Sequence, residues 1–382
     1  MAACVAALTI GAGAGLPDSL IGKVPGAFLV LTGCAAAVLM PRLILPLVIS
    51  GPFIAGLIGT SLVIPALLLM TLAASASAWP RASAGQRRAA SAIAVLTVWT
   101  VFAGVVLQTR GVDTVQVAIA IVYAASVGAL IALGVDTRGR VVMATLAGWG
   151  LVVAHGILST PTLVVDRTQT VWGENANGAG FVVIVGIVAT ASLSIGRSRL
   201  VLALALPAIA YMTVAAITTG SRGSLIAGIA AALAYGLRGP LLRGGFRATF
   251  GALAGACGAL IVAGPAMSWL IANSGRDAAG SADNLDSRRL ALTEALRTAA
   301  DHPLVGVGLG NLASVSSVNL RSHNVLAGMA AESGLLVVAL FLGLILMALR
   351  RLRSTPESFP LLVCVLVASV AIEWWGAGRT GI

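Results

Sequence analysis

Asn319-Leu320-Arg321-Ser322-His323-Asn324 opens directly into an apolar run from Val325 to Leu349, interrupted only by Glu332-Ser333-Gly334. A stretch of about 20 apolar residues with few charges has the length of a transmembrane helix. The run therefore predicts one span over 323–349, with arginine, histidine and asparagine at its mouth. Ionisable groups in such a place are costly and point to function. The rest of the chain is equally greasy. Of 382 residues, 58% are hydrophobic and only 10% charged, and mean hydropathy is +1.01. Soluble domains carry about 25% charged residues, so a soluble fold is excluded. The apolar stretches are too long, and alternate too poorly, for the strands of an outer-membrane barrel.

The fold class expected is thus all-α, a polytopic transmembrane helical bundle of about 12–13 spans, with no strands. Spans are predicted at 2–16, 25–41, 43–58, 60–78, 90–108, 114–134, 141–158, 176–195, 200–218, 222–237, 248–271, 323–349 and 358–377. Pro41, Pro46, Pro52 and Pro65 interrupt the early ones. The first sixteen residues lack a basic leader and read as a retained span. Residues 1–271 form a transmembrane region, 272–322 a long loop and 323–382 the C-terminal transmembrane helices, together one integrated membrane domain.

Orientation follows from the arginines, because short cytoplasmic loops of membrane proteins are enriched in basic residues. Alternate connections hold Arg42; Arg81, Arg87 and Arg88; Arg138 and Arg140; Arg197 and Arg199; Arg238, Arg243 and Arg247; and Arg350, Arg351 and Arg353. These are 14 of the 24 basic residues, accompanied only by Asp136 and Glu357 among the acids. That face is assigned to the cytoplasm, which puts the N-terminus inside, the C-terminus outside and the 272–322 loop outside. The net charge of +11 is spread over such loops, with no aromatic-studded basic domain, so nucleic acid is not an expected partner. Cys4, Cys34, Cys257 and Cys364 lie in apolar segments and read as packing residues.

Within the outer loop, Asp286-Ser287 is expected to cap an amphipathic helix running over Arg288 to about Ala300. Its apolar face would hold Leu292, Ala295, Leu296 and Ala299. Asp301-His302-Pro303 ends it, and Gly306 to Asn311 follow as a flexible turn. Arginines on the outer face run against the inside bias and are the informative ones. Thr219-Gly220-Ser221-Arg222-Gly223-Ser224 joins two spans at the outer boundary. With Ser221 as helix cap, Arg222 sits beside a helix N-terminus, a natural phosphate site. The alternative is an arginine snorkelling to headgroups. Arg288 and Arg289 could grip diphosphate oxygens with their guanidinium forks, or lie on a solvated face. An imidazole such as His323, with an ordinary pKa near about 6.5, suits a general base, or is a satisfied interfacial group. His155 and His302 read as structural. Asn175 and Asn177 open another span as caps or sugar contacts. No metal-ligand spacing occurs.

Four blocks taken in order resemble the bacterial O-antigen ligase and O-antigen polymerase superfamily. They are Glu174-Asn175-Ala176-Asn177-Gly178; Ser221-Arg222-Gly223-Ser224; Arg288 with Asp301-His302-Pro303-Leu304-Val305-Gly306-Val307-Gly308; and His323-Asn324 with Glu332-Ser333-Gly334. The resemblance covers roughly residues 160–350. It implies a C-type (GT-C) glycosyltransferase fold. It also implies transfer of a glycan from a polyprenyl diphosphate carrier to an acceptor hydroxyl, outside the bacterial cytoplasmic (inner) membrane, with no cofactor or metal. The implied partners are the lipid-linked donor, a lipid or glycan acceptor and membrane lipid. By the same resemblance Arg222 and Arg288 hold the diphosphate, assisted by Arg289 and Ser221, and His323 is the catalytic base. Asn175, Asn177, Arg321 and Asn324 would contact sugar or acceptor, and Glu332 would support the packing. The sequence departs from the family pattern at Leu292, where a tryptophan is common, and in lacking a final return to the cytoplasm. Competing classes are a transporter or flippase of an anionic lipid, which would want a midplane site, and a non-catalytic envelope scaffold.

Overall fold

The computed structural model describes residues 32, 34–51, 63–107, 114–136, 139–159, 162–164, 167–169, 176–194, 197–243, 278–308, 311–316, 324–351 and 358–371. They form two compact units divided near Thr145. Among the described residues, Val63–Arg81, Arg140–Ser159 and Arg199–Thr218 are long and apolar enough to cross a membrane, alongside shorter apolar helices. These helices make the chain an integral membrane protein. The predicted spans 2–16 and 248–271 lie outside the described residues.

The first unit contains α1 (Pro41–Ile49), α2 (Val63–Ala78), α3 (Ala84–Leu107) and α4 (Thr114–Ala132). Its core joins Leu45, Val48, Leu67, Met70 and Leu130. Two polar devices order it. Ser83 and Gln86 form a reciprocal capping box at the start of α3, with Ser83 N–H donating to Gln86 Oε1 at 2.8 Å and Gln86 N–H to Ser83 Oγ at 3.3 Å. The Tyr123 hydroxyl on α4 donates to the Val48 carbonyl in the last turn of α1, so this buried hydroxyl is satisfied within the protein, as a membrane interior requires.

The cut between units falls inside α5 (Arg140–Ser159), whose first turn is capped by the Asp136 carboxylate, accepting from the Val141 and Val142 amides at 2.8 and 3.0 Å. The second unit continues with α6 (Ala176–Ser194), α7 (Arg199–Thr218), α8 (Arg222–Arg243), α9 (Ala278–Asp301), the short α10 (Leu312–Val315), α11 (Val325–Ser333), α12 (Leu335–Arg351) and α13 (Phe359–Ala371). Small residues let these helices close up. Gly150 on α5 and Gly186 on α6 cross so tightly that a Cβ on either would lie 2.6 Å from the other's Cα, with Met212 Sδ filling the notch. Close backbone approach through small residues is the usual route to packing between membrane helices, because lipid supplies no hydrophobic drive. α8 buries Ala227, Ala231 and Ala234, and packs on α6 and most extensively on α13, which buries Cys364 and Ala368.

Four expectations are corrected. The run 323–349 is not one helix: Gly334, at φ 85° and ψ 168°, breaks it into α11 and α12. The loop helix begins at Ala278, so Asp286 and Ser287 lie inside α9 rather than at its start; the weak helix formers Gly280, Ser281, Asp283 and Asn284 upstream cost up to about 1 kcal/mol each, which tertiary packing of a 24-residue helix overrides. Leu296 is 54% exposed; the buried stripe of α9 is Ala291, Ala295 and Ala299, a four-residue spacing. Finally, a small antiparallel hairpin is present, β1 (Thr162–Val164) with β2 (Arg167–Gln169), pairing Leu163 with Thr168. Its Thr-Leu-Val strand has β-branched residues at both ends.

Candidate functional site

The turn between α7 and α8 carries the first pair of elements. Thr219 Oγ1 donates to the Ala216 carbonyl at 2.7 Å and accepts the Ser221 N–H at 3.3 Å. Gly220 sits at φ +61°, the left-handed conformation that ends α7. Ser221 then starts α8 as expected: its carbonyl accepts the Leu225 N–H, and its hydroxyl lies 2.8 Å from Ser224 Oγ and 3.4 Å from the Ser224 N–H. Thr219, Ser221 and Ser224 are all buried. What covers them is α6. A Cβ on Gly180 would stand 2.9 Å from Thr219 Oγ1 and 3.0 Å from Ser221 Cβ and Ser224 Oγ. Gly180 lies in the first turns of α6, which starts at Ala176, so the start of α6 packs on the turn that starts α8. Arg222 is the first residue of α8 and Asn177 the second of α6. Asn175 lies outside the described residues.

The second pair joins the segment after α9 to α11. α9 stops at Asp301, two residues before Pro303, which disfavours helix in the residue preceding it. The segment after it is not the flexible turn expected from its glycines. Val307 N–H donates to the Ala331 carbonyl at 2.9 Å and Gly308 N–H to the Glu332 carbonyl at 3.0 Å, while the Pro303 carbonyl accepts the Leu335 N–H at 2.8 Å. Breaking a helix at Gly334 leaves carbonyls on one side and amides on the other without helical partners. The 303–308 segment satisfies both sides. The fit depends on two glycines in left-handed conformation, Gly306 at φ +67° and Gly334 at φ +85°. A Cβ on Gly306 would collide with the backbone of Glu332 and Ser333, and one on Gly334 with the backbone of Leu304 and Val305. Asn311 Nδ2 adds a bond to the Val307 carbonyl at 3.1 Å. Beneath this clasp, Ala295 and Ala299 of α9 share a core with Leu312 and with Ala327, Ala330 and Ala331 of α11, and Leu292 packs against it.

Arg288 precedes Leu292 by one helical turn, on the same side of α9. It is half-buried and its Nε is shielded from solvent, whereas Arg289 is exposed. Asn324 caps α11, its Oδ1 accepting the Ala327 N–H at 3.1 Å. Glu332 is 4% exposed, near the end of α11. His323 and Arg321 lie outside the described residues. His155 is exposed on α5, with Nδ1 3.0 Å from the Tyr211 hydroxyl on α7. His302 contributes its backbone carbonyl to the Gly306 N–H at 3.0 Å. Among the described residues no cluster of three or more His, Cys, Asp or Glu could hold a metal ion.

The residues that sequence reasoning missed are the glycines. Gly180 and Gly306 lie in or beside motifs already singled out, but their task is defined by a distant backbone. The only available clue was their presence at helix starts and breaks where apolar side chains would otherwise continue.

Residues 207–342 match the family model described as O-antigen ligase, a stretch from mid-α7 to mid-α12 that contains three of the four blocks. No curated protein and no solved structure matches the chain. The match supports membership of this chain in the O-antigen ligase and polymerase family.

Proposed function

We propose that the protein is an inverting, metal-independent membrane glycosyltransferase of O-antigen ligase type. It transfers a glycan from a polyprenyl diphosphate carrier to an acceptor hydroxyl at the outer face of the bacterial cytoplasmic membrane. The observation that carries this reading is the O-antigen ligase match over 207–342. Two features of the geometry support it. The turn at Ser221, from which α8 and Arg222 start, is buried against α6 and so held in a fixed place. Arg288 is half-buried on the side of α9 that packs on α11, which is unlike a freely solvated face.

In the proposed chemistry the acceptor oxygen attacks the anomeric carbon as the bond to the diphosphate oxygen breaks. His323 takes the acceptor proton, and polyprenyl diphosphate leaves with the bonding electrons. Arg222 and Arg288 stabilise the charge that grows on the leaving group, a contribution that is commonly the largest in enzymes. The N-terminus of α8, the positive end of the helix dipole, favours the same anion. Arg289 and Ser221 support the diphosphate, while Asn175, Asn177, Arg321 and Asn324 face sugar or acceptor. Asn324 combines this role with capping α11. His323 must be neutral to accept that proton. The test is turnover of a polyprenyl-diphosphate-linked glycan by purified protein, with both the released carrier and the glycosylated acceptor identified. Carrier release without a glycosylated product, or binding without turnover, refutes the transferase reading.

A further inference from the structure

We infer that the 303–308 segment is a positioning clasp for the reaction, with Gly306 and Gly334 as its positioning residues. The clasp sets where Arg288 stands relative to the start of α11 at Asn324, the residue that follows His323 in the sequence. This inference rests on the diphosphate and base roles proposed above for Arg288 and His323, and neither glycine has a role in that chemistry.

Three observations converge. First, α9 and α11 meet at their C-terminal ends, because the chain leaving α9 bonds directly to the last turn of α11 through Val307 and Gly308. Second, the face of α9 that continues from this junction is Ala299, Ala295 and Leu292, packed with Ala331, Ala330 and Ala327 of α11. The next position on that face is Arg288, since residues four apart stack along a helix. The same helix pair therefore carries Arg288 on one member and the Asn324 cap, with His323 just before it, on the other. Third, the junction has almost no freedom. Both of its glycines need positive φ, and a Cβ on either would meet backbone atoms, which cannot swing aside as a side chain can.

The consequence is that a small change at the clasp is felt at the far end of α9. Ala299 and Arg288 are eleven residues apart, about 16 Å along a helix. A tilt at the clasp is thus carried to the arginine as a displacement of the guanidinium. Misplacement of about 1 Å costs on the order of 10²-fold in rate in well-positioned sites. Sequence proximity does not fix Arg288 against the start of α11, because 35 positions lie between Arg288 and Asn324 along the chain. The backbone bonds of the clasp shorten that path to the helix pair itself.

The experiment has two arms, both on the full-length protein in detergent micelles. In the first, amide hydrogen exchange is measured over Pro303–Asn311 and Ser333–Leu336. The wild type is expected to protect Val307, Gly308 and Leu335. Gly306→Ala and Gly334→Ala each accelerate exchange there at least tenfold and leave α5 and α7 unchanged. In the second arm, Gly306→Ala lowers kcat for glycan transfer by about 10–100-fold, with a smaller change in donor KM. Arg288→Lys added to Gly306→Ala then costs little further, whereas Arg222→Lys added to Gly306→Ala keeps its full separate cost. The milder Asn311→Ala, which removes one bond to the Val307 carbonyl, moves both arms in the same direction by less and serves if a glycine variant does not fold. Unprotected amides in the wild type, or losses that multiply equally with Arg288→Lys and Arg222→Lys, overturn the clasp. A wild type with protected amides but no transfer from polyprenyl diphosphate overturns the transferase reading and the positioning role built on it, while the clasp as a structural junction stands.

Discussion

Gly180→Ala separates close packing at the site from ordinary helix preference. An alanine there places its methyl carbon 2.9 Å from Thr219 Oγ1 and 3.0 Å from both Ser221 Cβ and Ser224 Oγ. Comfortable heavy-atom contact begins at about 3.5 Å, so the turn that starts α8 must retreat by roughly half an ångström. The turn cannot yield by rotating one side chain, since Ser221 and Ser224 hold each other at 2.8 Å and all three residues are buried. Overpacking of this kind costs about 1–3 kcal/mol. Replacing helical glycine by alanine returns up to about 1 kcal/mol. The net expectation is a loss of about 1–2 kcal/mol, with the packing term winning. Gly148 on α5 and Gly343 on α12 are the internal controls, because a Cβ at either meets nothing within 4 Å. Alanine there keeps only the helix preference and should be neutral or slightly stabilising. Thermal unfolding of purified protein in detergent measures all three. A turn displaced by that distance also moves Arg222, so Gly180→Ala should lower transfer by roughly tenfold, given the steep distance dependence of positioned chemistry. If Gly180→Ala unfolds and turns over like Gly148→Ala, the contact between α6 and the Ser221 turn is not as close as described and the site built on it fails.

A topology reporter fused near Ser281 should read extracytoplasmic, and one near Arg87 cytoplasmic; the reverse would put every proposed site residue in the wrong compartment. Arg222→Lys and Arg288→Lys should each lose most activity, because lysine keeps the charge but not the planar fork; full activity of both refutes guanidinium recognition. His323→Ala should keep donor affinity and lower kcat by about 10²–10⁴-fold, the range for a lost acid–base group, and its rate should no longer fall as pH drops. Weakened donor binding with unchanged kcat would make His323 a phosphate ligand instead. Tyr123→Phe should destabilise the first unit by about 0.6 and at most about 1.7 kcal/mol, the average and the maximum for hydrogen bonds between membrane helices; an unchanged unfolding temperature refutes a stabilising role for the bond to the Val48 carbonyl.

Most helix positions were legible because hydropathy marks them directly. The span predicted at 141–158 is Arg140–Ser159, that at 200–218 is Arg199–Thr218, and that at 176–195 is Ala176–Ser194. The break at Gly334 was not legible, since glycine is common within membrane helices and apolar residues continue on both sides. Its effect depends on amides supplied by Val307 and Gly308, more than twenty residues away. The same holds for the site. Arg222, Arg288 and His323 stand out by residue type, because charge in an apolar chain is conspicuous. Gly180 and Gly306 do not, because what they contribute is space for another segment's backbone.

The helix break at Gly334 also imposes an order of assembly. A membrane-insertion apparatus meeting Val325–Leu349 encounters an apolar chain interrupted only at Glu332-Ser333-Gly334, long enough to be taken as one span. Left in lipid, the carbonyls of Ala331 and Glu332 and the amide of Leu335 would have no water to turn to, at a cost of several kcal/mol each. A continuous helix is therefore the favoured early form, and the kink becomes tolerable only when Pro303, Val307 and Gly308 arrive to take up those groups. Docking of the 303–308 segment thus precedes final shaping of a helix that follows it in the chain. A variant whose loop cannot dock should accumulate with 325–349 as one unbroken helix, inserted but immature.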